Sequence, residues 1–315
     1  MSKTKIEWTE KTWNPASGCT KISDGCKNCY AEKMANRLKA MGTKGYENGF
    51  AVTLHPERLS EPLKIKKPSM FFVCSMGDLF HEDVPFEFID EVFKVIAVCG
   101  GKHIFQVLTK RPERMKEYFI SRREFRFKVA ALASKIYAKH ANVERIGLDT
   151  RTELGDNIDT YAEVLAFNAV AQQKRFDFPL PNVWLGVTAE NQEQADKRIP
   201  ILLDTPAALR FVSIEPMLGE ISLEKQHRKM LGDKPAYPCS ENYLFDLDWV
   251  IVGGETGAGA RPLQYKWVKD IQEQCKAANV PFFFKKWGKL GQIDKTLIDG
   301  YIDGVECRAM PEVKQ

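Results

Sequence analysis

Long apolar runs are missing from this chain: no stretch approaches the roughly 18 residues that a membrane-spanning helix needs. Low-complexity tracts and internal repeats are missing too. With 44% hydrophobic and 28% charged residues, the composition is that of a globular protein and suggests neither disorder nor a fibre. A strong charge imbalance is also lacking, because the formal net charge is only +4, which leaves the total silent on nucleic acid. Residues 1–10 are polar and hold no apolar core of a secretory leader, so a cytoplasmic location is expected. Histidine is scarce, and His81, His103 and His140 read as packing residues. Finally, Gly253-Gly254-Glu255-Thr256-Gly257-Ala258-Gly259 has neither the G-x-x-x-x-G-K-[ST] nor the G-x-G-x-x-G order, and Pro262 interrupts any helix after it. It reads as a backbone-rich wall rather than a phosphate loop.

What is present is a rhythm. Short apolar runs at 70–74 (MFFVC), 103–108, 183–187 (VWLGV), 210–214 (RFVSI), 249–252 (WVIV) and 281–284 (PFFF) each end near a polar or glycine residue. Helical spacing fills 86–98, 191–203 and 266–278 between them. Strands without alternation, separated by helices, indicate a parallel sheet buried on both faces. The expectation is an α/β fold: a complete or partial (β/α) barrel of six or seven parallel strands with a helical insertion. The barrel domain would span 1–288, with the insertion at 112–180 and a C-terminal hairpin tail at 289–315 packed on the barrel. Residues 220–248 form a shorter polar insertion.

Between Lys110 and Arg145 eleven Lys/Arg stand against four Asp/Glu, an excess of seven (11 − 4). Arg122, Arg123, Arg126, Lys128, Lys135 and Lys139 are therefore candidates for contact with phosphates.

Eight cysteines in a reducing compartment are thiols or metal ligands rather than a disulfide framework. Three of them, Cys19, Cys26 and Cys29, fall within eleven residues. Gly18 and Gly25 each precede a cysteine, which suits a backbone wrapped closely around a metal group. A helix over 31–41 follows, so the loop feeds a helix N-terminus, where thiolates are favoured. Structural zinc is closed by four protein ligands, whereas a [4Fe–4S] cluster on three cysteines leaves one iron open. The open cluster is the favoured reading. A zinc site completed by Cys74, Cys99, His55 or His81 is the alternative, as are three unrelated thiols. Trp8 and Trp13 flank the loop and read as a lid over it.

Polar residues recur where the strands end, the face on which parallel barrels build their sites. They are Ser75 and Asp78, Lys110 after Thr109, Thr188 and Glu190, Ser213 and Glu215, Glu255, and Lys285 with Lys286.

A three-cysteine loop opening into a helix of a (β/α) barrel resembles the radical S-adenosylmethionine (SAM) superfamily. More closely, Trp13-Asn14-Pro15, Gly18-Cys19, Gly25-Cys26 and Cys29-Tyr30-Ala31 resemble the phage-associated three-cysteine-motif proteins, a family grouped with those enzymes. The resemblance continues through Leu108-Thr109-Lys110-Arg111-Pro112, Leu185-Gly186-Val187-Thr188, Ser213-Ile214-Glu215-Pro216, Gly253-Gly254-Glu255-Thr256 and Phe284-Lys285-Lys286-Trp287-Gly288. Three departures from the superfamily stand out. The spacing here is C-x6-C-x2-C rather than C-x3-C-x2-C. Tyr30 follows the third cysteine instead of preceding it. Ser75-Met76-Gly77-Asp78 replaces the Gly-Gly-Glu that usually follows the second strand.

The resemblance implies a [4Fe–4S] cluster on Cys19, Cys26 and Cys29, with SAM chelated to the open iron. Asp78 would then accept from the SAM ammonium and Lys110 would pair with its carboxylate. Tyr30 would stack on adenine, and Ser75 would line the same site. Thr188, Glu190 and Ser213 would bind ribose hydroxyls, and Glu215 the ammonium or the substrate. Glu255 would be catalytic. Reductive cleavage of SAM would yield a 5′-deoxyadenosyl radical acting on a nucleic acid or nucleotide, with an external electron donor, a possible separate protein partner and no membrane. Two rivals remain: a non-enzymatic, metal-stapled nucleic-acid-binding module, and a divalent-metal barrel hydrolase using Asp78, Glu215 and Glu255.

Overall fold

Valine, isoleucine and the aromatics crowd the short runs of this chain, and seven of its segments pair as parallel strands. They are β1 (Lys11–Trp13), β2 (Ser69–Val73), β3 (His103–Thr109), β4 (Val183–Thr188), β5 (Leu209–Ile214), β6 (Trp249–Gly253) and β7 (Phe282–Lys286). The computed structural model describes residues 4–121, 179–224, 230–231, 234–235 and 242–312. The strands lie in chain order across one sheet. Every residue of β4 and β6 is buried, which is why those runs do not alternate.

Among the described residues six helices connect or follow the strands: α1 (Tyr30–Ala40), α2 (Phe86–Cys99), α3 (Pro112–Ser121), α4 (Gln192–Leu203), α5 (Tyr265–Ala277) and α6 (Lys289–Ile293). In α2 the buried Ile89, Val92, Phe93 and Ile96 form one stripe at helical spacing. The side chain of Asn191 caps α4 by accepting from Gln194 N at 3.0 Å. α3 opens the segment expected as an insertion, yet its Met115, Tyr118 and Phe119 join the main core. The helices expected beyond it lie outside the described residues, as do Arg122, Arg123, Arg126, Lys128, Lys135 and Lys139.

The sheet is strongly curled. The Trp8 ring lies 4.8 Å from Phe72 on β2 and 6.2 Å from Trp249 on β6. In a flat sheet, strands four places apart stand about 19 Å from one another. One indole can touch both only if the sheet wraps around it. β1 and β7 do not pair, so the barrel is partial. Its interior is a cluster of Trp8, Trp184, Leu209, Phe211, Trp249, Ile251 and Phe283, separate from the larger core outside the sheet. Trp8 and Trp13 are thus core residues, not the lid their position suggested. Trp8 plugs the barrel, while Trp13 packs in the outer core and donates from Nε1 to Arg58 O at 2.8 Å.

The free edge of β7 is covered by the chain's own tail. Tyr301–Ile302 and Val305–Glu306 pair antiparallel, and Phe284 N then donates to Cys307 O at 2.6 Å and Ala309 N to Phe282 O at 3.1 Å. No helix among the described residues is long and apolar enough to cross a membrane.

Candidate metal centre

The cysteine loop leaves a two-residue strand (Ala16–Ser17), which pairs with Thr53–Leu54, and enters α1. Gly18 turns the chain at φ +87°, and a Cβ there would stand 2.2 Å from Ala51 O, so only glycine fits. A short 3-10 turn (Asp24–Cys26) follows, and Cys29 sits immediately before α1 at its N-terminus. All three cysteines are half-buried. Tyr30 is 68% exposed, on the outside of the loop.

Residues at the carboxyl ends of three strands grip this loop. After β3, Arg111 donates from Nη1 to Cys19 Sγ at 3.3 Å and from Nη2 to Thr20 O at 3.3 Å and Oγ1 at 2.8 Å. After β4, the Glu190 carboxylate accepts from Gly25 N at 3.2 Å while Arg198 holds its other oxygen at 2.9 Å. After β6, Glu255 accepts from Asn28 Nδ2 at 3.0 Å and from three nitrogens of Arg261, whose Nη2 also donates to Asp24 O at 3.0 Å. Asn28 reaches Gly259 O as well, so the glycine-rich turn after β6 is a wall against the loop. His81 completes the seat. Its Nδ1 accepts from Asp83 N, leaving Nε2 to donate to Thr20 Oγ1 at 2.9 Å.

The electrostatics follow from these contacts. Burial works against ionising Glu255, but the Arg261 fork, the Arg261 backbone and the Asn28 amide outweigh it and bring the carboxyl down to about 2. Glu190 is likewise opposed by burial, yet Arg198, Ser23 and Lys110 hold it below its ordinary value. Burial, and then the Asp78 charge, push the Cys19 thiol up to about 11 in spite of Arg111. A free Cys19 is therefore a thiol, and bound iron would displace its proton.

The expected site residues divide into two groups. Asp78, Glu190 and Glu255 are committed within the protein. Asp78 accepts from Thr109 Oγ1 at 2.7 and 2.9 Å, from Lys110 N at 3.0 Å and from Phe80 N at 3.0 Å. It fixes the turn after β3. Glu255, expected as catalytic, clasps the loop through Asn28 and Arg261. Thr188 is taken up by Arg198, and the Ser75 hydroxyl by Asn14 Oδ1 at 3.2 Å. The second group lies in and around the barrel mouth. Glu215 pairs with Lys285 Nζ at 2.8 Å and accepts from Trp8 Nε1 at 3.2 Å and Ser213 Oγ at 3.3 Å. Gly253 leaves room for it, since a Cβ there would stand 2.9 Å from its oxygen. Lys110 projects half-buried near Glu190.

Among the described residues, no three of His, Cys, Asp and Glu gather closely enough to hold a single metal ion. The zinc partners considered are also engaged elsewhere. Cys74 and Cys99 are buried, with thiols pushed up to about 12, and His55 Nε2 is bonded to Ser17 Oγ at 2.8 Å. Because the neighbouring carboxylates bind cations of the chain itself, the donor set left in the loop is three thiols, and that set fits a cluster with one open iron.

Sequence reasoning missed Arg111, Arg198, Arg261 and Asn28. Arg111 stood in the quoted Leu108–Pro112 stretch at a strand end, where a guanidinium fork is a usable signal. The other three carried none.

Over residues 3–311 the chain matches the model of a family described as Protein of unknown function (DUF5131), and it belongs to that family. No curated protein and no solved structure matches it.

Proposed function

We propose that this DUF5131 member is a radical SAM-like iron–sulfur enzyme that reductively cleaves SAM and acts on a nucleic acid or nucleotide. The observation that carries the reading is the cysteine loop fastened across the carboxyl ends of a parallel partial barrel, with three thiols as its uncommitted metal donors. Cys19, Cys26 and Cys29 would hold a [4Fe–4S] cluster, which with SAM supplies the one-electron chemistry when bound.

The chain's own residues bind, orient and exclude water. Glu215 presents its carboxylate inside the barrel, steadied by the Trp8 N–H and paired with Lys285. Together with Ser213 and Lys110 it offers complementary charges to a zwitterionic amino-acid group. Asp78 acts at one remove, since its bond to Lys110 N fixes the point from which the lysine projects. Beneath them the aromatic interior closes the floor to water. A nucleic-acid substrate is supported by the basic run at 122–139.

The test is anaerobic reconstitution with iron and sulfide, followed by dithionite and SAM. The expected result is a brown protein that bleaches on reduction and releases 5′-deoxyadenosine. A colourless protein with stoichiometric zinc would replace the enzyme with a metal-stapled module. A cluster that never binds SAM would remove the cleavage reaction. For the substrate, charge reversal at Arg122, Arg123 and Arg126 is expected to weaken nucleic-acid binding and flatten its salt dependence. Unchanged binding in that variant would remove the nucleic acid.

A further inference from the structure

We propose that Arg111 is a positioning residue that raises the reduction potential of the cluster by donating a hydrogen bond to the Cys19 sulfur; this rests on the cluster reading above. Nη1 stands 3.3 Å from Cys19 Sγ, and the residue is only 4% exposed. Every edge of its fork is fixed. Nε meets both oxygens of Glu82 at 3.1 and 3.0 Å, Nη2 meets Thr20 O and Oγ1, and Nη1 lies 3.5 Å from Asp78 Oδ2. Thr20 directly follows Cys19, so one guanidinium orients both the ligand sulfur and the backbone beside it. Charge pairing alone does not require this placement, because Glu82 already pairs with the arginine through Nε from the solvent side.

The physical consequence concerns charge. Reduction adds one electron, taken from an external one-electron donor, and lowers the cluster from the 2+ to the 1+ state. A donor aimed at a ligand sulfur draws density from it and favours the more negative state. The guanidinium's positive charge acts in the same direction, offset in part by the Asp78 and Glu82 carboxylates beside it. With Arg111 in place, a weaker electron donor suffices.

The experiment compares the parent with Arg111→Met, Arg111→Lys and Glu82→Gln after anaerobic reconstitution. Iron and sulfide content are read first, and the midpoint potential is then read by electron paramagnetic resonance during a dithionite titration. Arg111→Met is expected to keep its iron while, at the parent's midpoint, the ratio of reduced to oxidised cluster falls about tenfold, a shift of about 59 mV for one electron. Arg111→Lys is expected to restore part of the loss. Glu82→Gln, which removes a carboxylate that offsets the guanidinium and leaves its contact with Cys19, should raise the potential. If Arg111→Met loses iron, Arg111→Lys decides: a potential below the parent's supports the role and the parent's value overturns it. Iron retained at the parent's potential in Arg111→Met overturns it as well. A parent that binds no iron overturns the cluster reading itself, and the iron assay shows this before any potential is read.

Discussion

Each cysteine of the loop is placed by a different contact, so the three are not interchangeable with the protein's other thiols. Cys19 faces Arg111, Cys26 closes a one-turn bend, and Cys29 precedes α1. Replacing any one with alanine is expected to abolish iron binding after reconstitution. Cys275→Ala, on the buried face of α5, should keep full iron at some cost in stability. Iron retained by any single loop variant would remove the open-cluster model. Gly25 is the second residue to probe, since a Cβ there would stand 3.0 Å from the Glu190 side chain. Arg198 pins that carboxylate, so Gly25→Ala should cost about 1–3 kcal/mol and lower iron occupancy, read by thermal melting and iron assay. At this scale the sequence was half legible. The cysteines and glycines stood together within one loop. The partners of the loop stand far along the chain, Arg111 at a separation of 92 residues from Cys19 and Glu190 at 165 from Gly25. Nothing local in Glu190 or Glu255 distinguishes a clasp from a ligand.

The elements follow the same logic. A strand buried on both faces carries its own signature, so β2 to β7 were legible as apolar runs and α2, α4 and α5 as periodic ones. β1 was not, because Lys11-Thr12-Trp13 is too short to show a period. The turn after β6 carries a pH-dependent fastening. Glu255 ionises at about 2 in the folded chain against 4.5 ordinarily. A carboxyl that is more acidic when folded stabilises the fold above its unfolded pKa, and that stabilisation drains away as pH falls from about 4.5 towards about 2. The loop is therefore expected to loosen in that window, with Cys26 labelled faster by a thiol reagent active in acid. Glu255→Gln should lose about 1.5–3 kcal/mol at neutral pH and show a flatter acid limb. Labelling that is independent of pH in the parent would sink this account.

For the whole molecule, the alternation of apolar runs and helices was enough to expect a complete or partial barrel, but not to say how far it closes or what fills it. Tryptophans beside a cysteine loop look like a cover. The structure instead places Trp8 in the interior, where it packs with Trp184, Phe211, Trp249 and Phe283 from the strands. Trp8→Ala is expected to cost roughly 3–5 kcal/mol and to free Glu215 from its indole partner, read as a lower melting temperature. Removing residues 298–315 would bare the backbone of β7, so that variant is expected to self-associate, measurable by light scattering.

The seating of Trp8 also has a consequence in time. The indole is made well before the walls that enclose it, which include Phe211 and Trp249. At synthesis rates of roughly 5–20 residues per second, the N-terminal segment waits roughly 12–50 seconds for β6 to be made. Nascent chains halted before β6 should therefore yield the segment around Trp8 to a protease, while the finished chain protects it. A side chain made long before its walls is among the last to be enclosed.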